Sequence, residues 1–173
     1  IPWINTPDIH FAISVNGVSL WLVLLTTLLT PLCVLISWRS IHHRVKEFYA
    51  FLLLLEFGLV GVFLAQDLFL FYVFWEISLV PMYFLIGIWG HERRIYAAVK
   101  FFLYTMAGSV LMLAAIIYVY NRAGTFAYGA ILDQLSSGRL SFAPTEQMLL
   151  FLAFFLAFAI KVPLFPLHTW LPD

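Results

Sequence analysis

The sequence predicts an all-α integral membrane protein with five transmembrane helices, and three observations carry that expectation. Of its 173 residues, 64% are hydrophobic and only 10% charged, where a soluble domain averages about 25% charged. Five apolar runs, each near the ~20 residues that a helix needs to cross ~30 Å of hydrocarbon, are separated by polar segments. The last run carries Lys161 deep inside it, with Pro163 and Pro166 directly behind.

Composition also excludes several functions. Nine Lys and Arg balance nine Asp and Glu, so the formal net charge is zero and nucleic-acid binding has no basic surface to rest on. Cys33 is the lone cysteine, which rules out an internal disulfide, a cysteine zinc site or a protein-ligated iron–sulfur cluster on this chain. Gly87 and Gly90 lack the strand–turn–helix context of a phosphate loop. No signal peptide is visible in the opening IPWINTPDIH. That opening and an end at LPD are what a segment of a longer chain would show.

Residues 1–17 form an outer-surface arm rather than a span. Ile9, Phe11, Ile13 and Val15 alternate at the strand period and Asn16-Gly17 is a turn pair, which predicts a short strand or hairpin, with Trp3 as an interfacial anchor. The first span is 18–38, followed by Arg39, Arg44 and Lys46. The second, 48–66, has Glu56 in its middle, and Asp67 sits in a tight turn. The third, 68–90, holds Glu76 and Pro81 and leads into His91-Glu92-Arg93-Arg94. The fourth, 95–120, carries Lys100 near its start and Ala107-Gly108-Ser109, small enough for a neighbouring helix to approach closely. Residues 121–145 are a polar connection with a surface turn of helix at 130–135, and the fifth span is 146–168, broken at Lys161-Pro163. Internal repeats are not evident. Basic residues concentrate in the loops after the first and third spans, so the positive-inside rule puts the N-terminus outside and the end of the segment inside.

Helical rise places the buried charges. Glu56 lies ten residues before Gln66 and Glu76 eight after Leu68, or ~15 Å and ~12 Å from the same outer turn. Lys161 lies fifteen residues into its span, or ~22 Å along a straight helix. A charge at the bilayer centre costs at least ~2.5–3.5 kcal/mol, so pairing of Lys161 with Glu76 is expected. An ammonium beside a carboxylate keeps both charged, and drawing them apart lets the amine release its proton. Pro163 and Pro166 should leave the carbonyls of Ala159 and Val162 open, and Pro81 that of Ile77 beside Glu76. Leu150, Phe154, Ala157 and Lys161 share a face, which an unbroken helix would extend to His168. Broken helices beside charges at membrane depth mark ion paths, so Lys161, Glu76 and His168 are the proposed carriers. Glu56 reads equally as a structural hydrogen-bonding group. Lys100 is six residues from Arg94, ~9 Å in, where snorkelling explains it as well as transport does. His42, His43 and His91 read as solvated loop residues.

The runs GVFLAQDLFLFYVFWEISLVPMYFLIGIWG, AAVKFFLYTMAGS and FAIKVPLFPLHTWLPD resemble the antiporter-like subunit M, or chain 4, group of proton-pumping NADH:quinone oxidoreductase, respiratory complex I. The resemblance covers nearly the whole chain. It implies one five-helix antiporter-like repeat, about helices 3 to 7 of about fourteen arranged as inverted repeats. It matches Glu76 to the family's central glutamate, Lys161 to the lysine on its broken helix and His168 to the histidine of its PLH motif. It further implies a proton-translocating subunit of an NADH:quinone reductase in a bacterial inner membrane, with no redox site of its own. NADH, FMN, iron–sulfur clusters and quinone would be held by partner subunits. The partners would be other membrane subunits of complex I, other antiporter-like subunits among them, within the lipid bilayer. Two rivals remain. One keeps the fold and changes the complex, to a multi-subunit sodium/proton antiporter or a membrane-bound hydrogenase. The other is a passive scaffold whose buried charges merely lock helices together.

Overall fold

The computed structural model describes residues 2–4 and 9–171; Ile1, residues 5–8 of the predicted arm and the Pro172-Asp173 end of the WLPD motif lie outside the described residues. Five helices are long and apolar enough to cross a membrane, which agrees with the expected fold class.

The arm forms a two-stranded antiparallel hairpin, β1 (Pro2–Ile4) against β2 (Ile9–His10). Asn16-Gly17 is not its turn. The Asn16 side chain accepts from the backbone amides of Val18 and Ser19 at 3.0 and 2.8 Å, and Ser19 Oγ accepts from the Asn16 amide at 2.8 Å. The pair therefore caps helix α1 (Gly17–Ser37), the other structure that asparagine favours. Along α1 the hydroxyls of Thr26, Thr27 and Thr30 donate back to the carbonyls of Leu22, Val23 and Thr26. That folding-back satisfies polar groups on a helix whose Val18, Trp21, Leu28 and Ile36 are exposed.

Helix α2 (Val45–Leu64) begins three residues before the expected start. Glu47 explains the extra turn: it pairs with Arg44, and its charge suits the positive end of a helix. The helix stops at Leu64 because the chain then becomes extended. Ala65 bridges Ile13 and Asp67 bridges Ala127 in antiparallel fashion, closed by Gln66 N–H to Ala12 O and Tyr128 N–H to Gln66 O, both 2.9 Å. Asp67, 1% exposed, holds this outer patch together. Its carboxylate accepts from the amides of Phe69 at 2.9 Å and Leu70 at 3.0 Å, capping α3 (Leu68–Ile77), and from the His10 amide at 3.3 Å.

The third span is two helices, not one. Helix α3 ends at Ile77 and α4 (Leu79–Trp89) follows after Ser78. Pro81 has no N–H to give the preceding turn and its ring crowds it, so the break falls there. Helix α5 (Arg94–Ala123) is one turn longer than expected because Gly124, at φ 72°, closes it in the left-handed region with its N–H on Tyr120 O at 2.7 Å. A surface helix, α6 (Tyr128–Ser136), extends two residues before and one after the expected turn. Helix α7 (Pro144–Lys161) starts on a proline and ends at Lys161. The chain from Val162 through Trp170 is a series of turns, so the expected 146–168 span stops seven residues early.

Helix α5 is the spine. Phe101, Thr105, Gly108, Ser109, Met112 and Ile116 are buried along it. Gly108 admits α7: a Cβ there would lie 2.9 Å from Ile160 Cδ1 and 3.2 Å from Ala157 Cα. Replacing Asp67 by alanine removes the α3 cap and the His10 contact, and should lower stability by about 1–3 kcal/mol. Thermal unfolding of the detergent-solubilised protein checks this: alanine lowers Tm by several degrees, and asparagine, whose oxygen still caps α3, recovers most of the loss.

Candidate functional site

Two interruptions of the chain meet at one place. The α3/α4 break presents Ser78, 2% exposed, and the end of α7 presents Lys161. The Lys161 ammonium donates to Ser78 Oγ at 3.1 Å and lies over the Trp75 ring at 5.0 Å from its centroid. Ser78 Oγ in turn donates to the Trp75 carbonyl at 2.7 Å. Gly58 on α2 makes room for this corner, since a Cβ on it would stand 3.1 Å from Ser78 N. Leu55, Leu59, Met82, Phe101 and Trp170 complete a pocket of about 210 Å³ around Ser78 and Lys161.

The expected direct pairing of Lys161 with Glu76 is corrected: the hydrogen bond goes to Ser78 instead. Glu76, two positions before Ser78, stands close enough for its charge to act on the amine. Glu76 Oε1 is buried and has no hydrogen-bond partner among the described residues. The Tyr72 phenol, one turn earlier, lies beside both Glu76 and Ser109.

The α7 break is also better satisfied than expected. Ala159 O, predicted open, accepts from Leu164 N–H at 2.8 Å. The turn after Pro163 brings that amide within reach. Ile160 O accepts from Trp170 Nε1 at 2.9 Å, so the buried indole pins the returning chain onto the helix end. His168 does not continue the Lys161 face, because the helix ends before it. Its ring stacks on Phe165 at 5.6 Å, and its Nδ1 is buried without a partner among the described residues. Its neighbour Thr169 donates to the Tyr104 hydroxyl at 3.0 Å.

The secondary candidates separate. Glu56 is half-buried on α2, between Leu55 and Leu59 of the Lys161 pocket. Lys100 lies over the Tyr96 ring at 5.6 Å, and so does Arg93, toward the charged loop end. Pro81 is buried at the start of α4. Pro163 and Pro166 lie in the turns beyond α7. Among the described residues no three His, Cys, Asp or Glu side chains are grouped to hold a metal. Sequence reasoning missed Ser78, Trp75, Gly58 and Trp170. The available signal was a hydroxyl two residues after Glu76 and three before Pro81 in an otherwise apolar run.

Fold and site together define a polytopic helical membrane protein built around a half-buried lysine between two broken helices. The chain belongs to the NADH:quinone oxidoreductase/Mrp antiporter transmembrane family, whose model matches residues 65–173. It is 48% identical over 166 residues to NADH-ubiquinone oxidoreductase chain 4 of Prototheca wickerhamii, covering 95% of this chain and 31% of that protein. To NADH-quinone oxidoreductase subunit M of Rhodobacter capsulatus it is 47% identical over 172 residues, covering 95% and 33%. Among solved structures, a chain of respiratory complex I from Thermus thermophilus with bound NADH superposes with a TM-score of 0.84 at 36% identity, over 99% of this chain and 35% of that one. The chain thus spans about a third of the length of these relatives. These findings agree with the resemblance carried by FWEISLVPMYFLI and the KVPLFPLH motif.

The Trp170 bond generates a prediction about the break. Phenylalanine at 170 keeps the packing on Phe101, whose ring lies 5.1 Å away, but strands the Ile160 carbonyl. Stability should fall by about 1–3 kcal/mol, read as a lower Tm with helix content by circular dichroism unchanged.

Proposed function

We propose that the chain is part of a proton-translocating membrane subunit of an NADH:quinone oxidoreductase, in which Lys161 is the switching proton carrier. The observation that carries this reading is the ammonium at the end of a membrane-length helix, held by one neutral hydroxyl and one indole while a carboxylate with an open oxygen stands nearby. A desolvated ammonium is stable only with an acceptor or counter-charge. Moving Glu76 and Lys161 relative to one another therefore decides whether the proton is kept or passed on. Glu76 modulates, and His168, with water, is the onward link from the α7 end. Glu56 is a secondary proton-holding group beside the pocket, and Lys100 a cation at the inner surface.

In this reading the chain carries no redox site; NADH, FMN, the iron–sulfur clusters and quinone belong to partner subunits, including other antiporter-like ones. The N-terminal arm lies outside and the end of α7 toward the inside of a bacterial inner membrane. Moving one proton against 100 mV takes ~2.3 kcal/mol, and the partners supply it. A second reading is favoured by the family description, which joins the oxidoreductase to the Mrp antiporter: the same fold in a sodium/proton antiporter. The passive-scaffold reading is the third.

Replacing Lys161 by alanine in the assembled complex should abolish proton pumping while leaving assembly intact, read as acidification of inverted membrane vesicles during NADH oxidation. Pumping that persists would defeat the proposal. The antiporter reading instead predicts sodium-dependent proton exchange in the absence of NADH. The scaffold reading predicts that joint apolar replacement of Glu76 and Lys161 leaves pumping unchanged.

A further inference from the structure

We propose that Ser78 is a positioning residue that parks the Lys161 amine at the α3/α4 break, and that the lysine works by leaving and regaining this place. The inference rests on the proton-carrier reading of Lys161 and adds the group that sets one end of its travel.

A serine hydroxyl has one proton to give and two lone pairs to receive. At Ser78 the proton is committed, because Oγ donates to the Trp75 carbonyl at 2.7 Å. The lone pairs are thereby turned outward, and one of them receives the Lys161 ammonium at 3.1 Å. The Trp75 indole supplies a second, non-directional attraction from its face, 5.0 Å from the ammonium. The two groups that hold the amine are thus fastened to each other.

The acceptor is also fixed in space. Ser78 N–H is held by Phe74 O at 3.1 Å, its backbone is abutted by Gly58, where a Cβ would stand 3.1 Å from Ser78 N, and the residue is 2% exposed. The amine, by contrast, is at the end of a flexible four-carbon stem on the last residue of α7. One partner is immobile and the other is free to swing. The second destination is present as well: Glu76 Oε1 is buried with no hydrogen-bond partner among the described residues, near enough for the carboxylate's charge to act on the amine. A pocket of about 210 Å³, lined mainly by apolar side chains, adjoins the parked position and gives the amine room to move.

A hydroxyl suits the parking place better than a second carboxylate would. It receives a bond from the ammonium without bringing a charge of its own, and so does not lock the amine in its charged form. A carboxylate in that place would hold the charged form alone.

The test compares Ser78→Ala, Ser78→Thr and Ser78→Val in the assembled NADH:quinone oxidoreductase, with assembly followed on native gels and pumping by acidification of inverted vesicles. Threonine and valine carry the same extra bulk and differ only in the hydroxyl. The alanine and valine variants are expected to pump about tenfold more slowly, the loss of one hydrogen bond to a charged group, while threonine restores most of the rate. Full pumping in the alanine variant, or equal pumping in the threonine and valine variants, overturns the proposal. Lys161→Ala separates the two levels. If that variant loses pumping while Ser78→Ala keeps it, the parking role alone fails; if Lys161→Ala pumps normally, the carrier reading fails and this inference with it.

Discussion

The structure turns on a single contact, the Lys161 ammonium on the Ser78 hydroxyl. An amine at membrane depth needs an acceptor, and an unbroken helix has few to offer because its carbonyls are already engaged. Here two helices are interrupted at facing positions, one by Pro81 and one by Pro163, and each interruption contributes something the other lacks. The α3/α4 break exposes a hydroxyl tied to its own backbone, and the end of α7 releases a long side chain to reach it. Trp170, returning from the turns beyond α7, seals the helix end by donating to Ile160. The corner is therefore open to a proton and closed to loose backbone.

The rest of the fold keeps these two interruptions facing one another. Glycines set the spacing on both sides, Gly58 where α2 meets Ser78 and Gly108 where α5 meets α7. A methyl group in either place would push a neighbour away. On the outer surface Asp67 ties the hairpin, the start of α3 and the segment before α6 into one patch, which fixes the height at which α3 enters the bundle. Helix α1 packs on α2 and leaves most of its other apolar side chains exposed.

Much of this was legible in the sequence, for identifiable reasons. Long apolar runs bounded by charge announce helices that cross hydrocarbon, and a lysine before two prolines announces a break. Other features were hidden because a residue type serves two ends. Asn16 favours turns and helix caps alike, and only the bonds to Val18 and Ser19 decide between them. Proline predicts which backbone donor is missing but not what replaces it, so the Ala159 carbonyl was expected to be open and is taken by Leu164. A helical wheel does not carry past a break, so the face of His168 could not be read from its spacing to Lys161. Ser78 was overlooked because one hydroxyl in an apolar run looks tolerable anywhere. Its meaning appears only when a residue 83 positions away arrives beside it.

The central claim is that a half-buried amine is sheltered where two broken helices meet, within range of a carboxylate that keeps one oxygen open. An experimental density map of the intact assembly, at a resolution that shows ordered water, tests it most directly. The predicted result is a Lys161 nitrogen near 3.1 Å from Ser78 Oγ, with ordered water between the amine and the open Glu76 oxygen. An amine turned out to the lipid headgroups, with no ordered water between it and Glu76, would contradict it.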